Sequence, residues 1–155
     1  QAATTASQLL APVSLPHFSA LVAYGHIADV YLSLWERERA QKTGTETELK
    51  KLARGACKSL HRCARLFPVA GPRAWLWQGV YDWLDGKPIR ARLAWQRSLS
   101  AAQRLGMPLD EALAFYEVGR HAARDEQAGN LKRADEIFDR LGVAAAGRPL
   151  ARLEQ

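Results

Sequence analysis

Apolar residues recur at intervals of three and four along most of the chain, which is the spacing that brings side chains onto one face of an α-helix. The first such stripe consists of Leu21, Tyr24, Ile27, Ala28, Tyr31, Leu34 and Trp35. It predicts a helix over about residues 16–42, and a second stripe predicts a helix over about residues 46–66. No run of alternating β-branched residues competes with this pattern, so an all-α fold is expected.

Proline and glycine residues divide the rest of the chain into four further predicted helices. Pro72, Pro88 and Pro108 stand where the first turns of helices three, four and five are expected. Helix five is predicted to fade near Gly129, and Asn130 is predicted to cap helix six, which ends near Leu141. The six helices therefore form three antiparallel hairpins.

The hairpins are predicted over about residues 16–67, 72–106 and 108–142, and together they form one domain over residues 16–142. Residues 1–15 are predicted to be a flexible segment, because they are small and polar. Residues 143–155 are predicted to be a frayed tail. The chain begins with Gln1 rather than Met, so a processed product or a segment of a larger protein is expected.

A shift of 43 residues relates the second hairpin to the third. It carries Gly79 onto Ala122, Gly86 onto Gly129, Ala91 onto Ala134 and Trp95 onto Phe138. Small residues let two helices approach closely, and an aromatic side chain fills the gap between neighbouring hairpins. The shift therefore indicates an internal repeat.

These residues resemble the signature of tetratricopeptide repeats. The first-helix pattern of an aromatic, a large-small pair and a second aromatic is matched by Tyr24, Ile27, Ala28 and Tyr31. The second-helix pattern is matched by Ala91 with Trp95 and by Ala134 with Phe138. The resemblance covers about residues 17–142 and implies a right-handed solenoid that binds a protein or peptide through a groove made by its first helices.

By this resemblance, the groove-facing residues are Leu76, Val80, Trp83 and Leu84. Trp75 and Trp95 are predicted to belong to the core, and Trp77 and Trp83 to be more exposed. The segment from Ala74 to Arg120 also resembles the helical repeat tails of large signalling ATPases and nucleotide cyclases. That likeness implies a regulatory or assembly module of a larger signalling protein.

Charge is concentrated in one part of the chain. The sequence of 155 residues carries 22 basic and 16 acidic side chains, a net charge of +6. Between Leu49 and Tyr81 there are seven basic residues and no Asp or Glu. Five of them follow helical spacing and are predicted to form a basic face on helix two: Lys51, Arg54, Lys58, Arg62 and Arg65. An ordinary solvated helix surface is the default interpretation of this face. If it binds a partner, an acidic protein segment is expected, and a nucleic-acid-binding domain is the alternative.

The sequence offers no catalytic signature. Motifs for a phosphate-binding loop, a dinucleotide site, a zinc protease and a serine hydrolase are all missing. His26 with Asp29 could act as a base with an orienting carboxylate, but no nucleophile accompanies them. We therefore expect no enzyme and no catalytic residues.

No cofactor or metal is predicted either. Cys57 and Cys63 diverge around the helix axis too far to bond to each other. Cys57 and His61 share a face and could supply two metal ligands, but a zinc site needs more. Reduced cysteines and the lack of an apolar run long enough to span a membrane predict a cytoplasmic protein.

The expected function is a non-catalytic protein-interaction or regulatory scaffold. The aromatic-rich helix over residues 16–42 is expected to contact a neighbouring domain or a second copy of the chain.

Overall fold

The computed structural model describes residues 18–42 and 44–144, and none of these residues forms a β-strand. They form six α-helices and one 3-10 turn, Pro68–Ala70. The helices are α1 Phe18–Gln41, α2 Glu46–Leu66, α3 Gly71–Leu84, α4 Pro88–Leu105, α5 Pro108–Arg120 and α6 Arg124–Arg140. The predicted all-α class is confirmed.

Glycine and proline determine two of the turns as the sequence predicts. Gly86 and Gly106 adopt positive φ angles of 73° and 62° after α3 and α4, a conformation that costs glycine little. Pro88 and Pro108 then begin α4 and α5, where their missing amide hydrogens remove no intrahelical bond.

The predicted boundary between helices five and six is wrong. α5 ends at Arg120 and α6 begins at Arg124, so the turn lies about eight residues before Gly129. The turn residues His121, Ala122 and Ala123 include no glycine or proline, the usual sequence signals of a break. Asn130 does not cap a helix, because it lies within α6 and donates from Nδ2 to the carbonyl of Glu126 at 2.9 Å.

Each helix packs most closely against its neighbours in the chain, and α3 also contacts α1 and α5. A large apolar cluster joins α1, α2, α3 and α4 and includes Ala114 of α5, and a smaller one joins α5 and α6. Leu99 and Leu113 pack against both clusters and connect them. α3 therefore occupies the middle of the described fold.

The closest helix approaches occur where glycine faces a large side chain. Gly79 of α3 lies directly against the indole of Trp95, which is fully buried on α4. At Gly119 of α5, an added Cβ would lie 2.9 Å from the side chain of Leu131 on α6. The glycine therefore allows close contact in both hairpins.

The 43-residue shift relates residues in similar settings at two of its four positions. Ala134 and Phe138 are buried in the same way as Ala91 and Trp95. The glycines do not correspond, since Gly86 ends a helix with positive φ and Gly129 lies inside α6. The repeat pairs Gly79 with Ala122, but Ala122 lies in a turn. The close helix contact that corresponds to Gly79 is made by Gly119 instead. A tetratricopeptide-like repeat therefore stays a prediction.

Within the described residues, no helix has both the length and the apolar content needed to cross a bilayer. The predicted flexible segment 1–15 lies outside the described ranges, as does the predicted tail beyond residue 144. Val143, at the start of that tail, packs against the α5–α6 cluster.

Replacing Gly79 by alanine should destabilise the protein. The new methyl group would overlap the indole of Trp95, which is itself fully buried. Overpacking of this kind costs about 1–3 kcal/mol. Urea denaturation followed by circular dichroism should show this loss in the free energy of unfolding.

Gly129→Ala is the matched control. Gly129 is exposed within α6, and an alanine Cβ there would meet no atom of the described residues within 4 Å. Because alanine favours a helix interior over glycine, this variant should gain about 0.5–1 kcal/mol. Equal effects of the two substitutions would contradict the assigned contact at Gly79.

Candidate interaction surface

The predicted groove residues on α3 are mostly core. Leu76, Val80 and Leu84 are only 1%, 7% and 7% exposed. α3 packs against α1, α2, α4 and α5, so these side chains are covered on every side that could form an open groove. The prediction that these three residues line a partner-binding groove is wrong, because helical periodicity does not show how many neighbours a helix has.

Trp83, the fourth predicted groove residue, is half-buried in an aromatic stack. Its ring centroid lies 4.0 Å from that of His121, and His121 stacks in turn on Trp95 at 5.0 Å with an angle of 5° between the planes. The stack packs the end of α5 against α3 and α4. Trp77, also predicted to be more exposed, is buried, whereas Trp95 is buried as expected.

His26, the residue considered as a catalytic base, and His121, in the turn after α5, have different environments. His26 lies exposed on α1, so it is not enclosed in a pocket. His121 contacts the indoles of both Trp83 and Trp95, and its Nε2 is 3.6 Å from the carboxylate of the buried Glu117. Glu117 also accepts a hydrogen bond from Arg120 at 3.4 Å, and Arg120 pairs with Glu36 of α1. These ion pairs join α5 to α1.

The predicted basic face lies on the surface of α2. All five of its side chains are exposed: Lys51, Arg54, Lys58, Arg62 and Arg65. The opposite side of α2 is buried in the core through Ala53, Ala56, Cys57, Leu60 and Cys63. None of the five forms an ion pair with any residue in the described ranges.

The other two basic residues of the acid-free segment are paired. Lys50 forms an ion pair with Asp85, and Arg73 binds Asp110 through Nε at 2.7 Å. Lys50 holds the pKa of the Asp85 carboxyl below its ordinary value, and Lys87 acts in the same direction. The unpaired charge of the segment is therefore confined to the five side chains of the basic face.

A cleft that the sequence does not predict lies beside this face. Trp75 is half-buried rather than part of the core, and the cleft above it has a volume of about 350 Å³. Six residues of α4 complete its lining: Leu93, Gln96, Arg97, Ser100, Ala101 and Arg104. The spacing of Leu93 and Arg97, four residues apart on a predicted helix, could have indicated the α4 side of this cleft. The position of Trp75 beside them depends on how α3 and α4 pack.

His61 of α2 joins the basic face to the cleft. Its ring packs edge-on against the indole of Trp75, with ring centroids 4.8 Å apart. Burial lowers the pKa of His61 below its ordinary value, and the charge of Arg65 lowers it further, whereas Asp82 and a hydrogen bond with Gln78 act in the opposite direction. At neutral pH His61 is therefore an uncharged packing partner of Trp75.

The neighbouring Cys57 is part of the core. Its Sγ lies 3.7 Å from the carbonyl of Trp77, to which it donates. Burial raises the pKa of the thiol to about 12, and the charge of Asp82 contributes, so the thiolate form that binds metals is disfavoured. No group of three or more His, Cys, Asp or Glu side chains suited to a metal ion occurs among the described residues.

Comparisons with protein-family models, curated proteins and solved structures find no match to the chain. The candidate surface is therefore defined by its own residues.

Substituting His61 should change how stability depends on pH. Since the folded state lowers the pKa of this imidazole, the unfolded chain takes up its proton first as the pH falls through about 6.5. The contribution of His61 to stability is thus present above that pH and decreases below it. Between pH 7 and pH 5, the free energy of unfolding should fall less in His61→Gln than in the unsubstituted protein, and an identical fall in both would contradict this assignment.

Proposed function

We propose that this chain is a non-catalytic protein-interaction module that binds an acidic segment of a partner protein through the basic face of α2. In this proposal the three hairpins stack as a short right-handed solenoid similar to tetratricopeptide repeats. The stacking is supported by the contacts between successive helices and by those of α3 with α1 and α5. The module would serve as a regulatory or scaffold segment of a larger cytoplasmic signalling protein.

The proposal rests on which basic side chains of the acid-free segment have a carboxylate partner and which do not. Lys50 and Arg73 use carboxylates from later in the chain, and the five residues of the basic face have none in the described ranges. Like charges three or four residues apart on a helix repel by about 0.2–0.5 kcal/mol per pair. An acidic partner would relieve this repulsion, whereas the isolated helix bears it.

The expected binding is electrostatic and sensitive to salt. Each exposed ion pair contributes only about 0.2–1 kcal/mol, so five of them must act together to hold a partner. They also attract an acidic surface over about 8–10 Å at moderate ionic strength. Fast association that weakens steeply with added salt is therefore the expected kinetic behaviour.

A protein partner suits this face better than nucleic acid does. Binding of single strands usually adds aromatic side chains on which bases stack. The residues of α2 between the basic side chains are small or aliphatic, apart from His61. Trp75, the indole next to the face, already has the guanidinium of Arg97 over its ring at 4.8 Å.

α1 supports a second expected contact. Val22, Val30 and Leu34 are exposed on this helix at intervals that place them on one side. Contact of this helix with a neighbouring domain or a second copy stays a prediction. It concerns a different surface from the basic face of α2.

Charge reversal tests the proposed function. In Lys58→Glu/Arg62→Glu, affinity for a fluorescein-labelled peptide of Glu and Asp residues should fall by about tenfold or more at low salt, because attraction becomes repulsion at two positions. Fluorescence polarisation at several salt concentrations measures this loss.

Arg37→Glu/Arg124→Glu is the control with the same change in net charge. Both arginines are exposed, on α1 and α6, and neither belongs to the basic face. This variant should keep most of the affinity. Equal losses in the two double variants would show that only net charge matters, and unchanged binding in Lys58→Glu/Arg62→Glu would exclude the face as the site.

A further inference from the structure

The cleft over Trp75 combines an aromatic floor with a basic rim. It is a shallow, open cleft with a volume of about 350 Å³. Trp75 and Leu93 supply its apolar lining, and Arg97 and Arg104 supply the charge. α4 contains no Asp or Glu, so no acidic residue of this helix opposes these arginines.

Arg97 is held in position for an anion. Its guanidinium carbon lies 4.8 Å from the centroid of the Trp75 ring, within the distance of a cation–π contact. Arg97 pairs with no carboxylate in the described ranges. Its N–H groups match the two oxygens of a carboxylate.

The apolar part of the cleft is open to solvent. Leu93 is 52% exposed, although it lies one helical turn from Arg97 and beside the half-buried Trp75. A single exposed leucine needs no explanation. An exposed leucine and an indole facing the same cleft, bordered by two arginines, instead form a place where an apolar side chain and a carboxylate can bind side by side.

The cleft also continues the basic face. His61 lies on α2 between Lys58 and Arg65, and its ring contacts Trp75. Because residues three and four apart share one side of a helix, Lys58 and Arg65 lie on the same side as His61. An acidic segment bound along α2 would therefore reach the cleft without leaving basic surface.

We propose that the cleft over Trp75 receives one apolar side chain of the acidic partner segment, while Arg97 binds a carboxylate next to that side chain. The inference rests on the proposed function and makes it more specific, since it requires an acidic segment interrupted by a large aliphatic residue. The basic face of α2 supplies general attraction, and the cleft selects among acidic sequences.

The arginine over Trp75 also favours a peptide over a nucleobase. A base that stacks on the face of Trp75 covered by Arg97 would have to displace the guanidinium, which would cost the existing cation–π contact. A carboxylate that binds the N–H groups of Arg97 does not need to displace it. The geometry thus fits an acidic peptide better than a single-stranded nucleic acid.

Two labelled peptides test the inference on the full chain. Both consist of Glu and Asp residues, one with a central leucine and the other with serine at that position. The leucine peptide should bind about tenfold more tightly, the ratio expected from burying most of one aliphatic side chain. Leu93→Ser should remove this preference while keeping affinity for the serine peptide within a few-fold. Arg97→Gln should weaken binding of both peptides, because each presents a carboxylate to Arg97.

The controls separate this inference from the proposed function. Leu34→Ser changes a similarly exposed leucine on α1 and should keep the preference, and circular dichroism should show that each variant is folded. In one outcome, the unsubstituted protein binds the two peptides equally, and Lys58→Glu/Arg62→Glu binds each of them more weakly. That result would contradict the role of the cleft and would still agree with the proposed function. Binding of neither peptide would overturn both.

A labelled single-stranded oligothymidylate provides the remaining comparison. If it binds more tightly than the leucine peptide and competes with that peptide for the protein, the cleft takes a base and the proposal is wrong. Weaker binding than that of the leucine peptide is the expected result.

Discussion

The packing of Trp95 against Gly79 is the contact on which the rest of the arrangement depends. It brings α3 and α4 together so closely that a methyl group on Gly79 has no room. With Trp95 directed inward, Leu93 and Arg97, two residues to either side, turn outward. Trp75 lies one turn before Gly79 on the same side of α3, so it meets Arg97 at the edge of this contact. Core packing and the cleft are therefore consequences of one helix pairing.

The basic face of α2 has a different origin. The segment from Leu49 to Tyr81 lacks acidic residues, and among the described residues carboxylates pair with only Lys50 and Arg73 of its basic side chains. The remaining positive charge is left on the surface. The repulsion among these like charges is modest, and burial of the apolar face of α2 in the core offsets it. The helix therefore tolerates a charge pattern that suits an acidic partner.

Helical spacing and turn residues were sufficient to predict part of the structure. The turns near Gly86 and Gly106 follow from glycine and proline chemistry, and the exposure of the basic face follows from the position of its residues opposite an apolar stripe. The turn after Arg120 contains no such residues, and Gly129 proved to be an ordinary helical glycine. Local signals therefore located the turns only where glycine or proline forms them.

The candidate site was less predictable because it depends on tertiary contacts. Leu76, Val80 and Leu84 are buried because α3 is surrounded by four helices, a fact that its own sequence does not contain. The cleft joins Trp75 of α3 with residues of α4, and His61 of α2 borders it. Each residue type was visible in the sequence, but their proximity was not.

The most direct test of the account is a chemical-shift map of the labelled protein during titration with the acidic leucine peptide. We expect the largest amide and side-chain changes at Lys58, Arg62 and Arg65 on α2 and at Leu93 and Arg97 on α4, together with the indole of Trp75. Changes centred instead on Trp83 and His121, or spread evenly over the basic residues of all six helices, would contradict it.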